Sequence, residues 1–247
     1  VEKRIFIASD MHFGAPDHES SLIREKRFVQ WLNDIMSHCE RLILLGDVFD
    51  YWFEYKYVQP RGYVRLLGKL AEMSDAGIPI DIFAGNHDLW YKDFFPGEIG
   101  ASIYHKPQIR EYFGKTFYLA HGDGLGPGDH GYKFMKRVFT SRLNQWLFAR
   151  LHPNFATTLA NYFSGLGRKS NPDKGSEFFG EKEFLIIHAR EMLQQQPEID
   201  HFVFGHRHHF REIELIENKS IFYLGDWINY FSWLEIGEEG AELKKLE

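Results

Sequence analysis

Apolar residues in this chain gather in short unbroken runs, and five of the runs stop at the same kind of polar boundary. They are IFIASDMH (5–12), LILLGDVFD (42–50), IDIFAGNHD (80–88), FYLAHGD (117–123) and FVFGHRHH (202–209). A run of this length without helical period reads as a strand buried on both faces. Because strand ends in open α/β sheets converge on one crevice, the polar groups after the runs are expected along one rim. Helical spacing and terminal signals predict helices over 21–39, 60–76, 130–151, 153–163 and 178–196, the last ended by Pro197. Strands over 210–215, 220–224 and 232–236 are expected to complete a second sheet. The predicted fold is α/β, a four-layer α/β/β/α sandwich.

The rim residues run from Asp10 to His208 in a chain of 247 residues, which favours one domain over 1–247. Between His121 and His206 the chain is longer than a strand–helix–strand crossover needs, so an inserted helical cap is expected at about 129–180. Apolar positions recur at Met135, Val138, Phe139, Leu143, Trp146, Leu147 and Leu151, then at Phe155, Leu159, Tyr162, Phe163 and Leu166. Both sets have helical spacing, and Pro153 starts the second helix of a hairpin. The stretch 165–176 (GLGRKSNPDKGS) reads as a loop.

Charge sharpens the reading of this insert. Residues 131–175 carry eight basic side chains against one acid, Asp173, although the whole chain is −6. That asymmetry suggests an anionic ligand or surface near the insert. Two readings stay open: an amphipathic cap for lipid, or a packed hairpin with solvated basic residues. Trp146, Phe148, Phe155 and Tyr162 could stack on bases. They fall on the apolar helix faces, however, so a core role and no nucleic-acid partner are expected.

At 44% hydrophobic and 17% aromatic residues the chain can fill a substantial core. Its single Cys39 permits no internal disulfide, and no apolar run approaches the roughly 20 residues that span a bilayer. With no leader pattern at the start, a cytoplasmic setting with at most peripheral membrane contact is expected.

The rim carries Asp10 and His12, Asp47 and Asp50, Asn86, His87 and Asp88, His121 and Asp123, and His206 and His208. Carboxylate, imidazole and amide oxygen together suit divalent manganese, iron or zinc. Two ions roughly 3.5–4 Å apart can share a carboxylate and clamp a displacement at phosphorus, and Asp47 is the candidate bridge. Gly46, Gly85 and Gly205 are expected to let the backbone turn at the strand ends. His209 is left out, since an extended strand points it away from the side of His208.

The ordered set Asp10-x-His12, Gly46-Asp47-x-x-Asp50, Gly85-Asn86-His87-Asp88, a lone His121 and Gly205-His206-x-His208 resembles the signature of the calcineurin-like metallophosphoesterases. The resemblance implies one metal held by Asp10, His12, Asp47 and His208, and a second by Asp47, Asn86, His121 and His206. It also implies catalytic supporting roles: Asp50 fixes a metal-bound histidine, Asp88 orients His87, and His87 contacts phosphoryl oxygens or protonates a leaving oxygen. A phosphoesterase scaffold that has become a binding protein would require lost ligands, and none is lost.

Within that family the chain is similar to the branch that hydrolyses the diphosphate of UDP-2,3-diacylglucosamine in lipid A biosynthesis. Asp129, Tyr132, Arg137, Lys182 and the segment Leu224-Gly225-Asp226-Trp227 carry this closer likeness. It implies two divalent ions, most readily manganese, and substrate contacts from Asn86, His87, Asp129, Arg137, Lys182 and His206. It further implies an acylated UDP-glucosamine substrate and contact with the cytoplasmic face of the inner membrane. One position departs: well-known members place arginine after the ligand asparagine, where this chain has His87, the residue of general phosphodiesterases. Another phosphodiester, a nucleotide or a dinucleoside polyphosphate therefore stays open as substrate.

Overall fold

The computed structural model describes residues 2–128, 130–170 and 177–247. In chain order the elements are β1 (Arg4–Ala8), α1 (His18–Ile35), β2 (Cys39–Leu45), α2 (Val64–Asp75), β3 (Ile80–Phe83), β4 (Ser102–Tyr104), β5 (Gln108–Tyr112) and β6 (Lys115–Ala120). They continue with α3 (His130–Thr140), α4 (Arg142–Phe148), α5 (Pro153–Ser170), α6 (Phe184–Gln195), β7 (His201–Phe204), β8 (Phe210–Ile216), β9 (Lys219–Leu224), β10 (Ser232–Gly237) and β11 (Gly240–Lys245).

The strands form two sheets, ordered β11-β10-β1-β2-β3-β4 and β5-β6-β7-β9-β8. Successive strand side chains point to opposite faces, and here both faces are covered. From the first sheet, Phe6, Ala8, Leu42, Leu44, Ile80 and Ile82 meet α1 and α2, while Ile5, Ile7, Ile43, Leu45 and Phe83 turn inward. The second sheet answers with Phe117, Leu119, Val203, Phe222 and Leu224, and sends Tyr118, Phe202, Phe204 and Tyr223 outward onto Leu185, Ile186 and Ala189 of α6. This is the expected α/β/β/α stack, and it explains why the runs are continuous rather than alternating. Each buried side chain of this kind contributes roughly 1.5–3 kcal/mol, so the shared inner layer holds the sheets together.

Several expectations need correction. The strand predicted over 232–236 does not join the second sheet: β10 pairs antiparallel with β1, Ile5 opposite Ile236 and Ile7 opposite Leu234. Helix α1 starts earlier than predicted, because Asp17 caps it by accepting from Ser20 N at 2.9 Å. Helix α2 starts later, after Tyr63 in a left-handed conformation at φ 59°. The helix predicted over 130–151 breaks at the extended Ser141 (ψ 125°). There Asn144 Nδ2 and Gln145 Nε2 donate to the carbonyls of Val138 and Phe139, groups that a continuing helix would have used. The region 178–196 opens with a 3₁₀ turn, Gly180–Lys182, before α6. Helix α5 runs on to Ser170, so the predicted loop is not a loop over 165–170, and its remainder, 171–176, lies outside the described residues. Among the described residues, no helix is long and apolar enough to cross a membrane.

Candidate metal centre

The five polar boundaries do meet, but across two sheets. Asp10, His12, Asp47 and Asn86 follow β1, β2 and β3 of the first sheet, whereas His121, His206 and His208 follow β6 and β7 of the second. Backbone bonds lash the loops together: Asp10 N to Gly46 O (3.1 Å), His12 N to Asp47 O (2.9 Å), Gly205 N to His121 O (3.0 Å) and Trp227 N to Asp10 O (3.2 Å). Asp10, His12, Asp47, His206 and His208 all have positive φ, between 44° and 63°. Such backbone costs on the order of 1–3 kcal/mol per residue and survives only where its surroundings fix it.

Two groups of donor atoms match the expected sets, and His12, Asp47 and His87 form a third that overlaps them. In one, His208 Nε2 lies 3.3 Å from Asp10 Oδ1 and 3.4 Å from His12 Nε2. In the other, His121 Nε2 lies 3.3 Å from Asp47 Oδ2 and 3.2 Å from Asn86 Oδ1, which is 2.8 Å from His206 Nδ1. Asp47 Oδ2 is also 3.7 Å from His12 Nε2, so it stands between the groups.

Proton bookkeeping tests whether cations fit here. His208 Nδ1 donates to Asp226 Oδ2 at 3.0 Å, and His121 Nδ1 donates to Leu45 O at 2.9 Å. In its neutral form an imidazole so engaged has its lone pair on Nε2. In both groups those lone pairs face carboxylate or amide oxygens, and the buried Asp10 Oδ1 has no hydrogen-bond donor. With the rings neutral, these converging lone pairs are the donor set of a divalent ion, and the residues fit.

The electrostatics agree. Burial works against charge on His12, yet Asp10, Asp50 and Asp47 outweigh it and push its pKa up to about 10. Burial likewise opposes charge on His121, and Asp47 overcomes it, holding the ring well above its usual range. His206 goes the other way, down to about 4, through burial and the neighbouring His121. A field that retains protons retains cations, and metal binding to such ligands releases those protons.

The supporting residues differ from expectation in one case. His87 Nδ1 donates to the carbonyl of Asp50 at 3.2 Å and lies 3.5 Å from its Oδ1, which is also 3.7 Å from His12 Nδ1. Asp50, not Asp88, therefore orients His87. Asp88 is a buried knot: Oδ1 accepts from Gly85 N (2.8 Å) and Asp47 N (3.3 Å), and Oδ2 from Val48 N (2.8 Å), Phe49 N (3.2 Å) and the Tyr91 hydroxyl (2.6 Å). It binds the second motif to the third.

The glycines also have a sharper reason than turning. Only Gly46 of the three has positive φ, at 90°. A Cβ on Gly85 would strike Asp47, and one on Gly205 would strike Ser9 and Asp10, closer than real side chains approach. They clear space for the carboxylates.

Sequence reading named Asp226 within a likeness but missed its role beside the cluster, although the run IFYLGD (221–226) ends at the same boundary as the other five. Buried Asp226 accepts from the backbone of Ile228, Asn229 and Tyr230 and presents Oδ2 to His208. Arg24 of α1 was also missed, and it staples the first motif loop by donating to the carbonyls of Met11 (2.7 Å), His12 (2.7 Å) and Ala15. Arg207, between the two histidines, pairs with Glu183 at 2.7 Å ahead of α6.

Residues assigned to substrate are scattered more widely. Asn86 and His206 sit in the cluster and His87 beside it. Arg137 on α3 and Lys182 in the 3₁₀ turn are exposed, and Asp129 lies outside the described residues. Buried Asp123 accepts from the Tyr132 hydroxyl and Lys136 Nζ, anchoring α3 to the end of β6. Trp90 holds the other side, donating Nε1 to Phe139 O at 2.8 Å and packing on Phe148. The core role expected of the four aromatics holds for Phe148 alone, for Trp146, Phe155 and Tyr162 are 54%, 59% and 61% exposed.

A calcineurin-like phosphoesterase family model matches residues 3–210. The UDP-2,3-diacylglucosamine hydrolase of Porphyromonas gingivalis is 38% identical, covering 94% of this chain and 94% of that protein. Proteins of the same name from Haemophilus influenzae and Histophilus somni are 27% and 25% identical, covering 96% and 97% of this chain and 97% and 99% of theirs. With its motifs gathered into one candidate metal centre, the chain belongs to the calcineurin-like phosphoesterase family.

Proposed function

We propose that the protein hydrolyses the diphosphate of UDP-2,3-diacylglucosamine, releasing UMP and 2,3-diacylglucosamine 1-phosphate in lipid A biosynthesis. The observation that carries the chemistry is the place of Asp47 Oδ2 between two lone-pair clusters. The names of the full-length relatives support the substrate. Asp10, His12, Asp47 and His208 would hold one divalent ion, and Asp47, Asn86, His121 and His206 a second, with manganese the ion we assign. A bound pair neutralises phosphoryl charge and lowers the pKa of a water.

His87 suits this reaction despite its departure from the branch. Its Nδ1–H is given to Asp50 O, so Nε2 carries a lone pair and is no proton donor. A departing sugar phosphate is weakly basic and needs none. We read 129–180 as a cap inserted into one domain over 1–247. Its exposed apolar residues would bury acyl chains, at roughly 0.8 kcal/mol per methylene. Its basic residues, Arg137 among them, would meet the substrate phosphate and the cytoplasmic face of the inner membrane, with Asp129 and Lys182 completing the sugar-side contacts.

The test is manganese-supported UMP release from UDP-2,3-diacylglucosamine, beside UDP-N-acetylglucosamine and bis(p-nitrophenyl) phosphate. Selective turnover of the acylated substrate is expected. Turnover of the simple diester alone would overturn the lipid assignment and leave the metal chemistry standing.

A further inference from the structure

Next to the metal centre lies a cavity of about 700 Å³ that no ligand role yet explains. Asp50, Tyr51, Tyr55 and Tyr63 line it from the β2–α2 connection, and Asn154 and Thr157 from the start of α5. It shares a wall with the metal centre, because Asp50 Oδ1 is within 3.7 Å of His12 and 3.5 Å of His87. A group bound there is one side chain away from the attacked phosphorus.

The wall is furnished for a polar guest. Tyr51 is only 8% exposed, and beyond a loose contact with Thr157 its hydroxyl is buried without a hydrogen-bond partner. The hydroxyl of Tyr55 is likewise buried without one. Leaving such groups unpaired is costly, and they are the usual mark of a site whose partner arrives with the ligand. Asp17, Glu25 and Asp50 also line the cavity, against Arg61 and His18, so a second phosphate is disfavoured. The tyrosine rings offer faces to a planar base. Tyrosine and threonine hydroxyls with the Asn154 amide match ribose hydroxyls and a pyrimidine imide. The volume is that of an ordinary small-molecule site.

We propose that this cavity is the nucleoside subsite, binding the uridine of the substrate while the acylated sugar extends toward the cap. The proposal rests on the diphosphate-hydrolase reading for the identity of the nucleoside. It gives the substrate a direction: uridine at the His12 and Asp50 end, sugar at the His206 and Lys182 end.

The experiment is equilibrium dialysis of radiolabelled UMP against manganese-loaded wild type, Tyr51→Phe and Thr157→Trp. It is paired with the ratio of kcat/KM for UDP-2,3-diacylglucosamine to that for bis(p-nitrophenyl) phosphate. Tyr51→Phe is expected to weaken UMP binding about 3–10-fold, the worth of one hydrogen bond, and Thr157→Trp to fill the cavity and weaken it more. The kinetic ratio should fall with the affinity. Acylated-substrate turnover combined with UMP binding indifferent to both changes would overturn the subsite and leave the function standing. UMP binding sensitive to both changes, in a protein that cleaves only the simple diester, would support the subsite and overturn the lipid substrate.

Discussion

At the strand ends, the ligand side chains are closely packed and several atoms turned from the cluster have hydrogen-bond partners. His208 leans on Asp226, His121 on the Leu45 carbonyl, and Asp10 takes Ser9 Oγ (2.6 Å) and His206 N (2.9 Å) on the oxygen turned from the site. On α3 to α5, by contrast, Phe134, Leu143, Trp146 and Phe155 stand largely in solvent, and contacts to Asp123, Gly126, Trp90 and Phe53 are among those that anchor the layer. Metal coordination is directional and fails with small displacements, so it is placed where the structure is over-determined. Burial of acyl chain has no preferred direction, so a helical layer with exposed apolar side chains can supply it.

The strongest way to break this contrast is at the shared carboxylate. Asp47→Ala should lower kcat/KM by about a thousandfold or more, the several kcal/mol that a metal clamp supplies, and reduce bound metal measured by elemental analysis. Retained activity with two ions per chain would refute the bridging role. Next comes Asp226→Asn, which spares the ligands themselves. Loosening the partner of His208 should cost about 10–100-fold in metal affinity or activity, read by metal titration beside kinetics.

The cap should respond differently. Leu143→Ser and Trp146→Ser are expected to raise KM for the acylated substrate about 3–10-fold while shifting unfolding stability by no more than about 0.5 kcal/mol. A large loss of stability would mean that these side chains are structural. The smallest effect is expected far from both regions, at Glu235 on β10. Burial raises its pKa, but ion pairs to Arg4 (2.6 Å) and Lys244 (3.2 Å) prevail and lower it. A lowered folded-state pKa stabilises above the unfolded value and is lost as pH falls through the folded one. Glu235→Gln should therefore cost up to about 1 kcal/mol at pH 7, with the gap closing below about pH 4 in denaturant titrations.

Much of the centre could be read from the chain, because each ligand pair follows a strand buried on both faces and such strands announce themselves as unbroken apolar runs. Pairing partners are not written that way. The pattern of β10 shows that it is buried, yet not that β1 lies beside it. The edge strands β4, β5 and β11 went unpredicted because they are short or alternate with solvent-facing residues, as in Gln108–Tyr112. The break at Ser141 depends on side chains capping carbonyls, which periodicity cannot register. Asp88 was misread because its sequence neighbour is His87, whereas its partners lie mainly in the preceding motif loop.

Each donor group draws on both sheets: Asp10 and His12 meet His208, and Asp47 and Asn86 meet His121 and His206. A captured ion would therefore rivet two layers already joined by hydrocarbon and by bonds such as His121 Nδ1 to Leu45 O and Trp227 N to Asp10 O. Its departure requires the rivet to lose ligands on one side, which makes the metal exchange rate a clock for how often the seam between the sheets breathes.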